Sequence, residues 1–585
     1  PMRWHAQRGN NDEYRGVIPA ATLNSLVPGV YGYTTNCRLP GEVEKWQESA
    51  GGDGQLFVLP AQPSSARPAG GVFVHLFEWR WADIEKECAF LAAKGYAAVQ
   101  VSPPQEHIVP TADMGGVPTN DFPWWVRYQP VSHDLRKFTS RSGTWAEFKS
   151  MVDTCKRLGV GIYVDAVINH MAAMEIGNPP QGTAGTEYNA FPASERFYGN
   201  QYQADDFHPD CPIQSYQDRG QVQNCALAGL PDLNTAKPDV QAEIRGYLQA
   251  LLDAGVAGFR IDAGKHMAPR DLAAIFGGLK GDFYTFFEVI DQSATEPVRD
   301  WEYAALGDVT EFAYTYAIGE AFDDGCRGHV SDLRTRLSGE DLLPAHLAQV
   351  FTDNHDNQRG HGAGSGCIVD HRDGQVHVLA NIFALAYPYG YPSVISSYYW
   401  QSNPADNSGD SLGPPGTNDG GITWGAGLGA ETRPVYAPGQ VAGDAPAHCA
   451  ATFEAGKWVC EHRRTAIANM VGFRRATAGQ PVTDWQEIGG SPTDHIAFGL
   501  GNRGFVAINR TGMDANATYT TSMPDGAYCD VIHYDFVPAT GRCVEPATGR
   551  DAPADRLIVV GGGRINARVP AMDAFAIYTA AQVRR

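Results

Sequence analysis

From Gly71 onward, short β-rich runs alternate with amphipathic helical runs, and this alternation restricts the fold more than any other feature of the chain. It is the signature of βα units around a parallel sheet. Val72–Phe77 and Ala97–Ser102 read as strands, and Ala82–Lys94 and Trp145–Leu158 as helices. Gly161–Val167 (GIYVDAV) is nearly continuously apolar, as a strand buried on both faces must be. A long polar, Gly-rich insertion follows, over about 171–232. The alternation then resumes with helix Val240–Ala254, strand Gly258–Asp262, helix Arg270–Leu279 and strand Phe283–Val289. Further units pass Val309–Phe312, Gln349–Asp353 and Tyr391–Ser396 to a helix at about 463–475. Eight such units closed on themselves make an α/β chain, a (β/α)8 TIM barrel over 71–476 with a B domain inserted after strand 3. Beyond Ala476 the pattern is all β. Runs such as HIAFGL, GFVAIN and DAFAIYT, separated by Gly, Pro and Asp turns, predict a C-terminal antiparallel β-sandwich over 477–585. Residues 1–70 form an N-terminal extension of mixed pattern that ends in a linker-like stretch, Ala61 to Gly70.

At 585 residues the chain has room for roughly two to four domains. Its net charge of −21 argues against nucleic acid and anionic membranes as partners. A neutral polysaccharide is indifferent to that charge. No apolar run is long enough to insert into a membrane: Val378–Trp400 comes closest, but Asn381, several Tyr and two Pro interrupt it. The opening Pro-Met-Arg-Trp carries no signal-peptide pattern, so any export signal is expected to be absent from this sequence. Of 11 cysteines, Cys211 and Cys225, Cys449 and Cys460, and Cys529 and Cys543 fall in close pairs without the CxxC spacing of a zinc site. Loop-closing disulfides and an oxidising compartment, secreted or periplasmic, are expected. The odd count leaves at least one thiol outside an internal pair.

In a barrel of this kind chemistry sits at the C-terminal ends of the strands, and four of those ends are unusually polar. Strand three ends in Asp165, Asn169 and His170; strand four in Arg260, Asp262, Lys265 and His266; strand five in Glu288; strand seven in Asp353, Asn354, His355 and Asp356. One carboxylate at a strand end is as readily a salt bridge or a cap. Three carboxylates with an Arg and several His at one mouth point to catalysis.

These four segments resemble the four signature regions of the α-amylase family of glycoside hydrolases. VHLFEWRWADIEKEC, GYAAVQVSPPQEH, WWVRYQP, NHDNQRGHGAG and WVCEHR extend the likeness to the animal-type members and their bacterial relatives, over roughly residues 71–585. The resemblance implies retaining endo-hydrolysis of α-1,4-glucosidic bonds in starch, glycogen and malto-oligosaccharides. A monomer is the default expectation, since nothing in the sequence suggests an oligomer interface. By position, Asp262 is the nucleophile, Glu288 the general acid/base and Asp356 the carboxylate that orients the sugar. The chemistry asks for two carboxyl groups about 5–5.5 Å apart, one attacking the anomeric carbon while the other protonates the leaving oxygen. Arg260 lies two residues before Asp262 on one strand and so shares its face. The family's sugar-contacting positions fall on His170 and His355, with Asp165 supporting them. Trp124, Trp125, Tyr128 and Gln129 match the loop that stacks on glucose rings, although paired Trp are also common in cores. Lys265 and His266 fall on the leaving-group side.

The resemblance further implies a structural Ca2+ held by the Asn169 and Asp232 side chains and by the backbone of Gln223 and His266, a donor set of hard oxygens. Chloride is expected not to be required. Arg260 and Asn354 match two of the family's chloride ligands, but Ser393 stands where the third, a basic residue, should be, and a lost cation weakens anion binding. The family's cysteine pattern pairs Cys88 with Cys155, Cys211 with Cys225, Cys449 with Cys460 and Cys529 with Cys543. Cys37, Cys326 and Cys367 remain, with a Cys326–Cys367 bridge left open. Two other readings stand beside hydrolysis. One is a transglycosylase of the same family, in which a sugar hydroxyl replaces water. The other is a non-catalytic scaffold, which would be expected to have a broken carboxylate set.

Overall fold

The structure is a computed structural model. It describes residues 64–109, 123–135, 139–291, 296–339, 342–364, 366–400, 413–414, 432–454 and 456–584, with short backbone stretches between residues 3 and 60. Eight parallel strands close a barrel: β1 (Phe73–Leu76), β2 (Ala98–Val101), β3 (Gly161–Ala166), β4 (Gly258–Ile261), β5 (Tyr284–Phe287), β6 (Asp308–Thr310), β7 (Ala348–Val350) and β8 (Tyr391–Ser396). Closure comes from β8 pairing with β1, Ser393 beside Phe73 and Ser396 beside Leu76. Between β4 and β5 the approach is tight. A Cβ on Gly258 would lie 2.3 Å from the Tyr284 carbonyl oxygen, so only glycine fits there.

The covering helices begin and end where local chemistry dictates. α1 (Trp81–Lys94) stops at Gly95, whose φ of 89° is the left-handed stop that glycine tolerates. α2 (Trp145–Arg157) starts with a capping box in which Thr144 and Glu147 exchange side-chain bonds with each other's backbone N–H. α3 (Pro238–Asp253) and α4 (Pro269–Phe276) each carry proline in the first turn, where its missing N–H costs nothing. α5 (Phe312–Phe322), α6 (Gln375–Ala386) and α7 (Thr465–Ala476) complete the ring among the described residues.

The insertion between β3 and β4 holds a three-stranded antiparallel sheet (Tyr188–Asn189, Phe197–Tyr198, Tyr202–Gln203) and a Cys211–Cys225 disulfide. It is laced to the β3 end by an isolated bridge between His170 and Asp232. Two four-stranded antiparallel sheets follow the barrel, packed around Phe505, Tyr519, Phe575 and Ile577. They rest on the barrel helices through Phe383 against Phe498 and Phe473 against Tyr578. Five disulfides form among the described residues: the four implied by the resemblance, and Cys326–Cys367, which settles the bridge left open. The side chain of Cys37 lies outside the described residues.

At the N-terminal end of the barrel, Phe73, Tyr163, Tyr284, Phe286 and Tyr391 form an aromatic floor. Arg67, from the stretch read as a linker, lies over Tyr391 and pairs with buried Asp308 at 3.0 Å, while Tyr284 donates to the same carboxylate.

Candidate active site

At the opposite end of the barrel one guanidinium organises the strand ends. Asp165 and Arg260 are direct partners in the β3–β4 register, which sets their side chains on one face of the sheet. Arg260 Nη1 lies 2.7 Å from Asp165 and 2.9 Å from Asp262, and Nη2 lies 2.6 Å from Glu288 and 3.9 Å from Asp356. Four carboxylates from four strand ends thus face one cation, and all of them but Asp356, whose side chain is 18% exposed, are buried. Ala263, directly after Asp262, adopts φ 50° and ψ 32°. This left-handed geometry is costly for a residue with a Cβ. Here it accompanies an Ala263 N–H that donates to the second Glu288 oxygen at 2.9 Å.

This crowding changes proton affinity. Burial is the main cause that pushes Asp165 and Asp262 up to about 7, against the pull of Arg260; Glu288 adds to the rise at Asp262. Burial first, and then Glu288, hold Asp356 well above the usual carboxylate range. Around one positive charge, burial and mutual repulsion thus disfavour simultaneous ionisation of Asp165, Asp262 and Asp356.

Aromatic and imidazole groups wall the site. His355 stacks on Tyr128 with ring centroids 5.3 Å apart, meets the edge of Trp124 at 5.4 Å, and places Nε2 3.4 Å from Asp356. Burial holds the His355 pKa well below its ordinary value, so the ring is neutral. The Tyr128 hydroxyl donates to Asp165 at 2.9 Å, and its carbonyl lies 2.9 Å from His170 Nε2. The other sequence-predicted residues divide. The Gln129 side-chain oxygen accepts from the backbone N–H groups of Ala173 and Met174, bracing the insertion. Trp125 is half-buried and packs against the core beside Trp124. Lys265 pairs with Glu296 and lies over the ring of Tyr216.

A cavity of about 400 Å³ opens beside Glu288, lined also by Tyr216, Lys265, His266, Ile290 and Glu296. Sequence reading missed Tyr216, Ile290 and Glu296, because neither periodicity nor a motif marks them. The ion pair of Glu296 with Lys265 is visible only in three dimensions. A larger, polar cavity of about 790 Å³ lies between the insertion and α3, but none of the four clustered carboxylates lines it. The smaller cavity is therefore the one at the chemistry.

Below the mouth, Asn169 and Asp232 meet where the insertion returns to the barrel. The Asn169 amide nitrogen is 3.2 Å from Asp232, while its buried Oδ1 lacks a hydrogen-bond partner. Asp232 also receives His208 at 2.7 Å, and His266 Nδ1 lies 2.8 Å from the Val222 carbonyl, bringing the Gln223 backbone alongside. Among the described residues no group of three or more His, Cys, Asp or Glu converges as a metal cluster. A site built from one carboxylate, one amide oxygen and backbone carbonyls is of another kind, and the orphaned Asn169 oxygen suits a hard cation.

A closed (β/α)8 barrel with carboxylates gathered around one Arg at its C-terminal mouth, followed by an antiparallel sandwich, defines a glycoside hydrolase class. Comparison with known proteins narrows it. The family described as alpha amylase, catalytic domain, matches residues 118–276, and alpha amylase, C-terminal all-beta domain, matches 485–579. The chain is 41% identical over 539 residues to an alpha-amylase of Thermomonospora curvata, covering 89% of this chain and 76% of that one. It is 40% identical over 499 residues to pancreatic alpha-amylase 2a5 of Mus musculus, covering 82% and 90%. Alpha-amylase I of Eisenia fetida superposes with a TM-score of 0.74 at 36% identity, covering 88% of this chain and 99% of that one. A mutant of that enzyme is described in complex with maltohexaose. The chain belongs to the alpha-amylase family.

Proposed function

We propose that the chain is a retaining, endo-acting alpha-amylase that hydrolyses internal α-1,4-glucosidic bonds of starch, glycogen and maltodextrins. The observation that carries this reading is the pair of contacts from one guanidinium, 2.9 Å to Asp262 and 2.6 Å to Glu288. Two carboxyl groups on adjacent arms of one Arg suit the about 5–5.5 Å spacing of a double-displacement enzyme rather than the wider gap of an inverting one. Asp262, with Arg260 favouring its ionised form, attacks the anomeric carbon. Glu288 gives its proton to the departing glycosidic oxygen, and a glycosyl ester forms on Asp262. Glu288 then takes a proton from water, which attacks the same carbon and frees Asp262. Asp356 and His355 hold the hydroxyls of the sugar at the cleavage point, His170 joins them, and Trp124 and Tyr128 pack against its ring. Lys265 and His266 face the leaving segment.

Calcium fits Asn169 and Asp232 with the carbonyls of Gln223 and His266, where it would pin the insertion to the barrel. The reaction does not depend on chloride: Ser393 carries no charge and accepts a hydrogen bond from Gln349 at 2.9 Å, and Asn354 Oδ1 takes the Asp356 and Asn357 amides. The disulfides support an extracytoplasmic location. The Arg67–Asp308 pair supports a packing role for the end of the N-terminal extension.

The test follows iodine colour and reducing ends on soluble starch, with Glu288→Gln beside the wild type and with and without a chelator. Colour should collapse before many reducing ends appear. Glu288→Gln should lose about 10³-fold in kcat, within the range for a removed acid–base group. Chelation should lower activity and Tm together. Flat reducing ends with redistributed oligosaccharide lengths would instead identify a transglycosylase.

A further inference from the structure

α6 reads QVHVLANIFALA, and every residue from Val376 to Ala386 is buried. In a helix this apolar, His377 and Asn381 are exceptions, one turn apart and therefore on the same face. Both are essentially without solvent exposure. Buried polar side chains are kept where they satisfy other buried groups, and the partner here is the loop that carries Asp356.

His377 Nε2 lies 3.0 Å from Asp353 Oδ1. The same oxygen accepts from the Thr352 hydroxyl at 2.7 Å, and Thr352 also reaches Asn381 Oδ1 at 3.4 Å. Asn381 in turn donates to the His377 carbonyl at 2.9 Å. The other Asp353 oxygen accepts from Gln358 Nε2 at 2.6 Å, and Gln358 is also bonded to Ser397. Asp353 and Gln358 bracket the turn Asn354-His355-Asp356-Asn357, so their bond closes its base. Within the turn, Asn354 Oδ1 accepts the Asp356 and Asn357 N–H groups at 3.0 and 2.8 Å. The Asp356 carboxylate is thus held by a turn whose base is clamped through Asp353, and His377 supports that clamp from below.

We infer that His377, assisted by Asn381, is a positioning residue for the reaction: it fixes the Asp353–Gln358 clamp and through it the placement of Asp356 and His355 on the sugar at the cleavage point. Geometry carries the inference, since His377 is the imidazole that reaches Asp353 from the helix below. Proton affinity agrees with it. Burial opposes a charge on His377, yet Asp353 raises its pKa above the ordinary value, with Arg464 opposing and Glu461 assisting. Asn381 Nδ2 also lies 3.0 Å from His377 Nε2, which ties the two helix residues together. His371 and Asp373 also face this histidine electrostatically.

The inference rests on the hydrolase reading above, and its test separates the two. Steady-state hydrolysis of a defined malto-oligosaccharide is measured for the wild type, His377→Leu and His377→Gln, with the Tm of each. His377→Leu should lose about tenfold in kcat with KM within about twofold of wild type, because the misplaced carboxylate serves the transition state more than binding. His377→Gln keeps an N–H donor and should recover to within about threefold of wild type. Unchanged kcat in a folded His377→Leu, or a Gln variant no better than Leu, overturns the inference while leaving the function intact. A wild type without hydrolysis overturns both. Should His377→Leu not fold, Asn381→Ala takes its place, with an expected loss of about twofold to threefold in kcat; no loss there likewise overturns the inference.

Discussion

The two ends of the barrel solve the same problem differently. At the floor, one cation meets one carboxylate: Arg67 pairs with Asp308, Tyr284 donates to it, and aromatic rings fill the remaining space. At the mouth, one cation meets four carboxylates in a setting just as buried. The floor is neutral and satisfied. The mouth is crowded with negative groups, with Asp165, Asp262 and Asp356 raised by burial, and is held together by the rest of the fold. A (β/α)8 barrel thus separates stability from chemistry by strand end, and the reactive end carries unfavourable charge that the packed end offsets.

The two ends differ most at Arg260. Arg260→Met removes the one cation shared by the mouth and should destabilise by about 3–5 kcal/mol at pH 7, as expected when a buried ion pair loses one partner. Denaturant unfolding checks this, and the loss should shrink as pH falls and the carboxylates become protonated. The equivalent change at the floor, Arg67→Met, should cost less, about 1–3 kcal/mol, because a tyrosine hydroxyl still serves Asp308. Its kcat on starch should stay at the wild-type value. A drop in kcat there would show that the two ends are coupled.

The smallest effect is also the most diagnostic. Asp262 is raised in the folded state to about 7 from an ordinary value of 3.8. Between those values the folded protein binds more protons than the unfolded chain. The stabilisation is therefore fully present below the unfolded pKa and is lost as pH rises through about 7. Asp262→Asn removes one of the crowded charges and should raise Tm by a few degrees at pH 8 but not at pH 4, while abolishing hydrolysis. A Tm gain equal at both pH values would rule out charge crowding as its cause.

Much of the barrel was legible in order. Strand β8 falls on the expected Tyr391–Ser396, and the other expected strands and helices match within a few residues, because period and burial are local properties of the sequence. Asp165, Asp262, Glu288 and Asp356 were legible through motifs and strand ends. Gln129 was expected against substrate, yet its side-chain oxygen braces the insertion. Tyr216, Ile290 and Glu296 had no signal, since each depends on where a loop returns rather than on spacing. His377 directly precedes Val378–Trp400, a run noted only for its hydrophobicity. The Arg67 anchor sat within a segment read as linker, where neither pattern nor propensity points to a buried partner 241 residues away.

The sequence by itself determined the order of elements, the strand ends where charge collects and the family whose motifs those ends carry. All of these are written in residues close together along the chain. Only the tertiary structure decided which carboxylates share Arg260, that Cys326 joins Cys367, and which buried groups stand behind the Asp356 turn. Those relations depend on closure of the barrel, which brings residues far apart in sequence within hydrogen-bonding distance and excludes the water that would otherwise satisfy them.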